Sequence, residues 1–171
     1  CGNSSRQSPG SSGPSGAHPQ RSLLMSRHTD SPALPPSPES SDLPYVYVVN
    51  SDPDFLDMIA SLLEDVRVRV HLEEIRPNVA VTVDNLRSAK PDLLILDVIP
   101  YQNDARLLLE RIAANDELRN LPIMLASTST GVAEELANAH GNQVFDVLPK
   151  PFDLDDFYTK LSRVLAGVRM P

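Results

Sequence analysis

The stretch Leu93-Leu94-Ile95-Leu96-Asp97 limits the fold more than any other part of the chain. Four consecutive apolar residues do not show the alternation of a strand with one wet face. They predict a strand buried on both sides, and that needs a helical layer above and below it. Segments to either side supply such layers. Phe55, Ile59, Leu62 and Leu63 recur at helical spacing, and so do Leu107, Leu108, Ile112 and Ala113.

The remaining segments continue the same alternation. Tyr45–Val49 reads as a first strand, and Asp52-Pro53 opens a helix with Asp52 as its N-cap. Val66-Arg67-Val68-Arg69-Val70 alternates strictly and predicts a second strand at a sheet edge. Pro77 starts a second helix running to about Lys90. Pro122–Ala126 is a buried fourth strand, Val132–Ala139 a short fourth helix ended near Gly141, and Val144–Leu148 a fifth strand. Asp153 caps a last helix with the stripe Leu154, Phe157, Leu161, Val164 and Leu165. The expected fold is α/β: a doubly wound, five-stranded parallel sheet in the order 2-1-3-4-5, which leaves the alternating strand at an edge.

Residues 1–43 are rich in Ser, Pro and Gly, and predict a disordered tail before a domain at 44–167 and an end at 168–171. Residues 1–40 hold Arg6, Arg21 and Arg27 against Asp30 and Glu39, so the net charge of −8 arises wholly from the rest of the chain. An acidic folded region argues against nucleic acid or anionic lipid as a partner. No apolar run is long enough to cross a bilayer, and no signal peptide is visible. One cysteine excludes a disulfide framework and a cysteine-based zinc site. The first residue is Cys1. Cys1–Ser5 resembles the mature end of a bacterial lipoprotein, but a fragment or an over-extended reading frame with Met25 as the start is favoured, because the expected location is cytoplasmic.

In such sheets the working residues stand at the carboxyl ends of the strands, near the switch point between strands 1 and 3. Asn50, Ser51 and Asp52 follow strand 1, Asp97 follows strand 3, Ser127 follows strand 4, and Lys150-Pro151 follows strand 5. A carboxylate, a hydroxyl and a lysine converging on one edge suit phosphoryl chemistry. The carboxylate can attack phosphorus, the hydroxyl can donate to the transferred group, and the lysine can balance its charge. A lone aspartate after a strand is usually a turn residue, and a lone lysine is usually solvated. Their joint placement is what raises them to candidates.

The stretches VVNSDPDFLDMIASLLED, PDLLILDV, LPIMLAST and LPKPFDLDDF together resemble the receiver domain of bacterial two-component signalling, over about residues 45–166. The resemblance implies that Asp97 is the phosphoacceptor, Ser127 the assisting hydroxyl and Lys150 the phosphate-sensing lysine. It implies Mg as the cofactor, held here weakly by Asp52 and Asp97, because Asn50 and Ser51 replace the usual two acids. It implies a histidine kinase or phosphotransfer protein as donor and a downstream protein as partner. A homodimer through the fourth helix, fifth strand and fifth helix follows by the same analogy. Only Gly167–Pro171 follow the last helix, so a single-domain, non-enzymatic response regulator is expected.

Three departures stand out. Two are the replaced acids and Val147, where the family carries a switching aromatic ring. The third is the loop after Asp97, with Pro100 early and Asp104-Ala105 in place of Asp-Gly. They motivate a rival expectation, a degenerate receiver that binds partners without phosphorylation. A flavin or nucleotide protein is disfavoured, because Ser127–Gly131 follows strand 4 and no Gly-rich loop follows strand 1. His18, His28, His71 and His140 lack ligand spacing, and no G-x-S-x-G elbow is present.

Overall fold

The structure is a computed structural model that describes residues 43–75, 78–141 and 143–168. Expectations for the tail, for a helix start at Pro77 and for 169–171 lie outside the described residues. Strands and helices alternate: β1 (Tyr45–Asn50), α1 (Pro53–Glu64), β2 (Arg69–Glu74), α2 (Val79–Ala89), β3 (Leu93–Val98), α3 (Asp104–Ala113), β4 (Ile123–Ser127), α4 (Thr130–Ala139), β5 (Val144–Pro149) and α5 (Leu154–Val168). All neighbouring strands pair in parallel, in the order β2-β1-β3-β4-β5. The expected doubly wound sheet is therefore observed. No helix among the described residues is long and apolar enough to cross a membrane.

Strand parity sorts the core into two layers. Val46, Val48, Leu93, Ile95, Met124, Ala126 and Leu148 face α1 and α5, where they meet Phe55, Ile59, Phe157 and Leu161. Tyr47, Val49, Leu94, Leu96, Ile123 and Leu125 face α2, α3 and α4, where they meet Leu86, Leu108, Ile112 and Leu136. Every residue of β3 is buried, as its unbroken apolar run requires.

The second strand differs most from its expected bounds. The alternation that begins at Val66 continues through Val70 to Leu72, and all of these apolar residues pack towards the α1–α5 layer. The paired strand starts only at Arg69 and runs on to Glu74. Glu73 does not end it, because its carboxylate is used inside the fold. It accepts from Tyr47 Oη, from Thr82 Oγ1 at 2.6 Å and from Asn85 Nδ2 at 3.1 Å. The second helix starts at Val79, with Asn78 Oδ1 accepting from Ala80 N. The third helix starts at Asp104 and the fourth at Thr130, each earlier than the apolar spacing indicates, since first turns are commonly polar.

The outer edge of β5 is blunted chemically. Lys150 N points inward and donates to Ser127 O on β4, so by alternation the N–H of Val147 points outward. That N–H is taken by Asp146 Oδ1 at 2.9 Å, and Pro149 has no N–H to offer. Asp146 is in turn clamped by Lys160, at 3.2 Å, and by Arg163 of α5. Burial opposes its ionisation. Lys160, the Val147 N–H and Arg163 outweigh that and hold its carboxyl below the usual value. A depressed folded-state value stabilises the fold above the unfolded pKa of about 3.9, and this is lost as pH falls through the folded value. Asp146→Asn keeps the bond to Val147 and removes the charge. Its urea midpoint should therefore decline less steeply than that of the parent on acidification below about pH 4. Parallel acid limbs would show that the clamp is electrostatically idle.

Candidate functional site

The order in which strands are added across the sheet reverses between β1 and β3: β2 lies outside β1, and β4 lies outside β3. Their carboxyl ends form the crevice where a doubly wound sheet places its ligands. The sequence reading set Asn50, Asp97 and Ser127 after their strands. The structure places all three within the strand ends, so backbone pairing fixes them more firmly than a loop would.

Asp97 and Lys150 are brought together. Lys150 Nζ stands 2.5 Å from Asp97 Oδ1, with side-chain exposures of only 16% and 8%. Between them β4 presents Ala126 opposite Asp97, so only a methyl group occupies that row. The same ammonium lies 3.7 Å from the centroid of the Phe55 ring, a cation–π contact. Phe55 meets Phe152 edge-on at 6.2 Å, and Phe152 stacks on Phe157 at 5.6 Å. Lysine 150 is therefore held by a carboxylate on one side and by the aromatic ring of α1 on the other. The Lys150-Pro151 peptide is cis.

Ser127 does not join that pair. It is fully buried, and Oγ donates to Val98 O at 2.8 Å and accepts from Ser129 N at 3.1 Å. By parity it belongs to the row of Leu125 and Ile123, on the α2–α4 side of the sheet. Asn50 is buried at the end of β1. Its Oδ1 accepts from Asp52 N at 2.8 Å, and its Nδ2 has no partner. A buried donor left unpaired costs about 1–3 kcal/mol. Asp52 is exposed and its Oδ1 accepts from Asp54 N, so it serves as the cap of α1.

A small pocket of about 10 Å³, room for a single water, opens beside Asp97. Ser51, Ile75, Ile99, Gln102, Asp104 and Ala105 complete its lining. Asp104 and Phe55 were not singled out in the sequence as site residues. An acid opening the helix after β3 was the available signal for Asp104. Nothing local marks Phe55, whose role arises only when α1 and β5 are packed together. In the same loop Tyr101 is fully exposed with φ of 69°, a left-handed conformation uncommon for a bulky residue.

No family model matches the chain. It is 30% identical over 84 residues to the DNA-binding transcriptional regulator NtrC of Proteus hauseri, covering 49% of this chain and 17% of that protein. It is 29% identical over 128 residues to the sensor histidine kinase TmoS of Ectopseudomonas mendocina, covering 74% of this chain and 12% of that one. The chain thus spans less than a fifth of the length of either curated relative. Among solved structures, the non-phosphorylated HemR receiver domain from Leptospira biflexa superposes with a TM-score of 0.58 at 25% identity, covering 75% of this chain and 96% of that one. The chain has the fold of a response-regulator receiver domain.

Receivers generally bind magnesium at an acidic pocket. Magnesium demands near-octahedral oxygen ligands and one or two free carboxylates. Here Asp97 is paired to Lys150, Asp52 is occupied as a helix cap, and Asn50 Oδ1 is taken by a backbone N–H. No cluster of three or more His, Cys, Asp or Glu suited to a metal occurs among the described residues. Ser51 and Asp104 offer a hydroxyl and one further carboxylate beside Asp97. The donor set does not fit a tightly held magnesium ion. Val147, at the position of the family's aromatic switch, is part-buried against the α2–α4 layer and offers no ring to swing.

Proposed function

We propose that this receiver accepts a phosphoryl group on Asp97 from a histidine kinase or phosphotransfer protein, and signals in the cytoplasm by binding a downstream protein. The observation that carries this reading is the buried 2.5 Å pair between Asp97 Oδ1 and Lys150 Nζ at the switch point of the sheet. A carboxylate oxygen there can attack phosphorus. An O–P bond forms as the donor's N–P bond breaks, and the freed imidazole takes up a proton. Lysine 150 then moves from the carboxylate to the new phosphoryl oxygens, which carry more charge. The acidic surface fits protein partners rather than nucleic acid. On this reading the chain is an acceptor and signalling module, not an enzyme.

A second reading is a degenerate receiver that binds its partner without phosphorylation. It is favoured by the use of Asp52 as a cap and by Ser51 in an acidic position. One experiment separates the two. The chain is incubated with acetyl phosphate across a magnesium series and its intact mass is followed. The first reading expects a gain of one phosphoryl group that Asp97→Asn abolishes. No gain under any condition leaves the second.

A further inference from the structure

Asn50 has a fixed orientation. A backbone N–H can donate only to the oxygen end of an amide, and Asp52 N donates to Oδ1 at 2.8 Å. Nδ2 is therefore the free end. It is the one buried side-chain polar atom without a partner among the described residues. Buried donors are normally satisfied, so this one needs an explanation.

Register supplies its address. β1 and β3 pair up to Val49 and Leu96, and Asn50 and Asp97 are the next residues along the two adjacent strands. Asn50 shares the parity of Val46 and Val48, and Asp97 that of Leu93 and Ile95, so both side chains stand on the α1–α5 side. The ammonium of Lys150 is on the same side, at Asp97 Oδ1. A neutral donor and a cation thus flank one carboxylate, where the metal donor set is deficient. An arriving group that accepts from both is an oxyanion.

We propose that Asn50 Nδ2 donates a hydrogen bond to an oxygen of a tetrahedral oxyanion seated on Asp97, a phosphoryl group, so that Asn50 and Lys150 hold it without a divalent metal. The role rests on Asp97 being the acceptor. Among the described residues no atom accepts from Nδ2, and the bond to Asp52 orients the amide in advance.

The test uses the full chain and beryllofluoride, a tetrahedral mimic of an acyl phosphate, in buffer with and without magnesium. Fluorine NMR reads binding, and the Asn50 side-chain amide signals read the new hydrogen bond. The unmodified chain should bind without magnesium, with the Asn50 amide protons shifted. Asn50→Asp keeps the acceptor for Asp52 N and loses the donor. Its magnesium-free binding should weaken about tenfold or more, and magnesium should restore it. Asn50→Ala should weaken in both buffers. Binding that requires magnesium in the unmodified chain, an unshifted amide, or Asn50→Asp binding normally without magnesium overturns the role and leaves Asp97 as acceptor. No adduct in either buffer removes the acceptor reading too.

Discussion

Lys150→Met should lower the unfolding free energy by about 2–4 kcal/mol near pH 8, whereas Asp97→Asn should cost about 1 kcal/mol or less. The asymmetry follows from what each substitution leaves behind. Without Lys150, the Asp97 carboxylate is 8% exposed and has lost the counter-charge paired with it. A buried unpaired charge is among the most destabilising defects a single substitution can create. Without the Asp97 charge, Lys150 keeps its contact with the Phe55 ring, and its flexible stem can carry the ammonium towards water. Urea titrations of both variants near pH 8 give the answer. Equal losses for both would show that the pair is well solvated.

Glu73→Gln should be the other severe change, at about 2–3 kcal/mol. Its two carboxylate oxygens receive three donors, from Tyr47, Thr82 and Asn85, and Tyr47 and Thr82 are essentially inaccessible to water. Glutamine has one acceptor oxygen and no charge, so at least one donor must turn away or, if a hydroxyl, accept from the new NH2 group, and the charge-assisted bonds are lost. The Tyr47 hydroxyl cannot relieve the conflict by ionising, since burial, and then the bond to Glu73, push its pKa well above the ordinary value. Removing the hydroxyl with Tyr47→Phe in the Glu73→Gln background should recover part of the loss. A strictly additive double mutant would show that the two side chains are not coupled.

These residues mark where the sequence was readable. β3 announced itself, because an unbroken apolar run has one structural use in a chain of this length. The stripe Phe157, Leu161, Val164 fixed α5 for a similar reason, and Asp52-Pro53 marked the start of α1. Asp97 and Lys150 were legible because parallel strands deliver their last residues to a common edge. The fate of Ser127 was not. Strand parity turns it towards the other layer, and the carbonyl that captures its hydroxyl belongs to Val98, 29 residues earlier. The length of β2 was hidden because Glu73 looks like a surface residue until α2 brings Thr82 and Asn85 to it. Asn50 read only as a lost acid. That its amide has a defined free end depends on the turn that returns Asp52 N to its oxygen.

The chemistry along the outer side of β5 also bears on assembly. A sheet can grow from one molecule into the next only through a row of free backbone donors and acceptors. On this margin the donor of Val147 is engaged and Pro149 has none. With fewer donors on this margin, continuation of the sheet into a second copy is disfavoured, and the exposed Phe145 ring offers a side-chain contact instead.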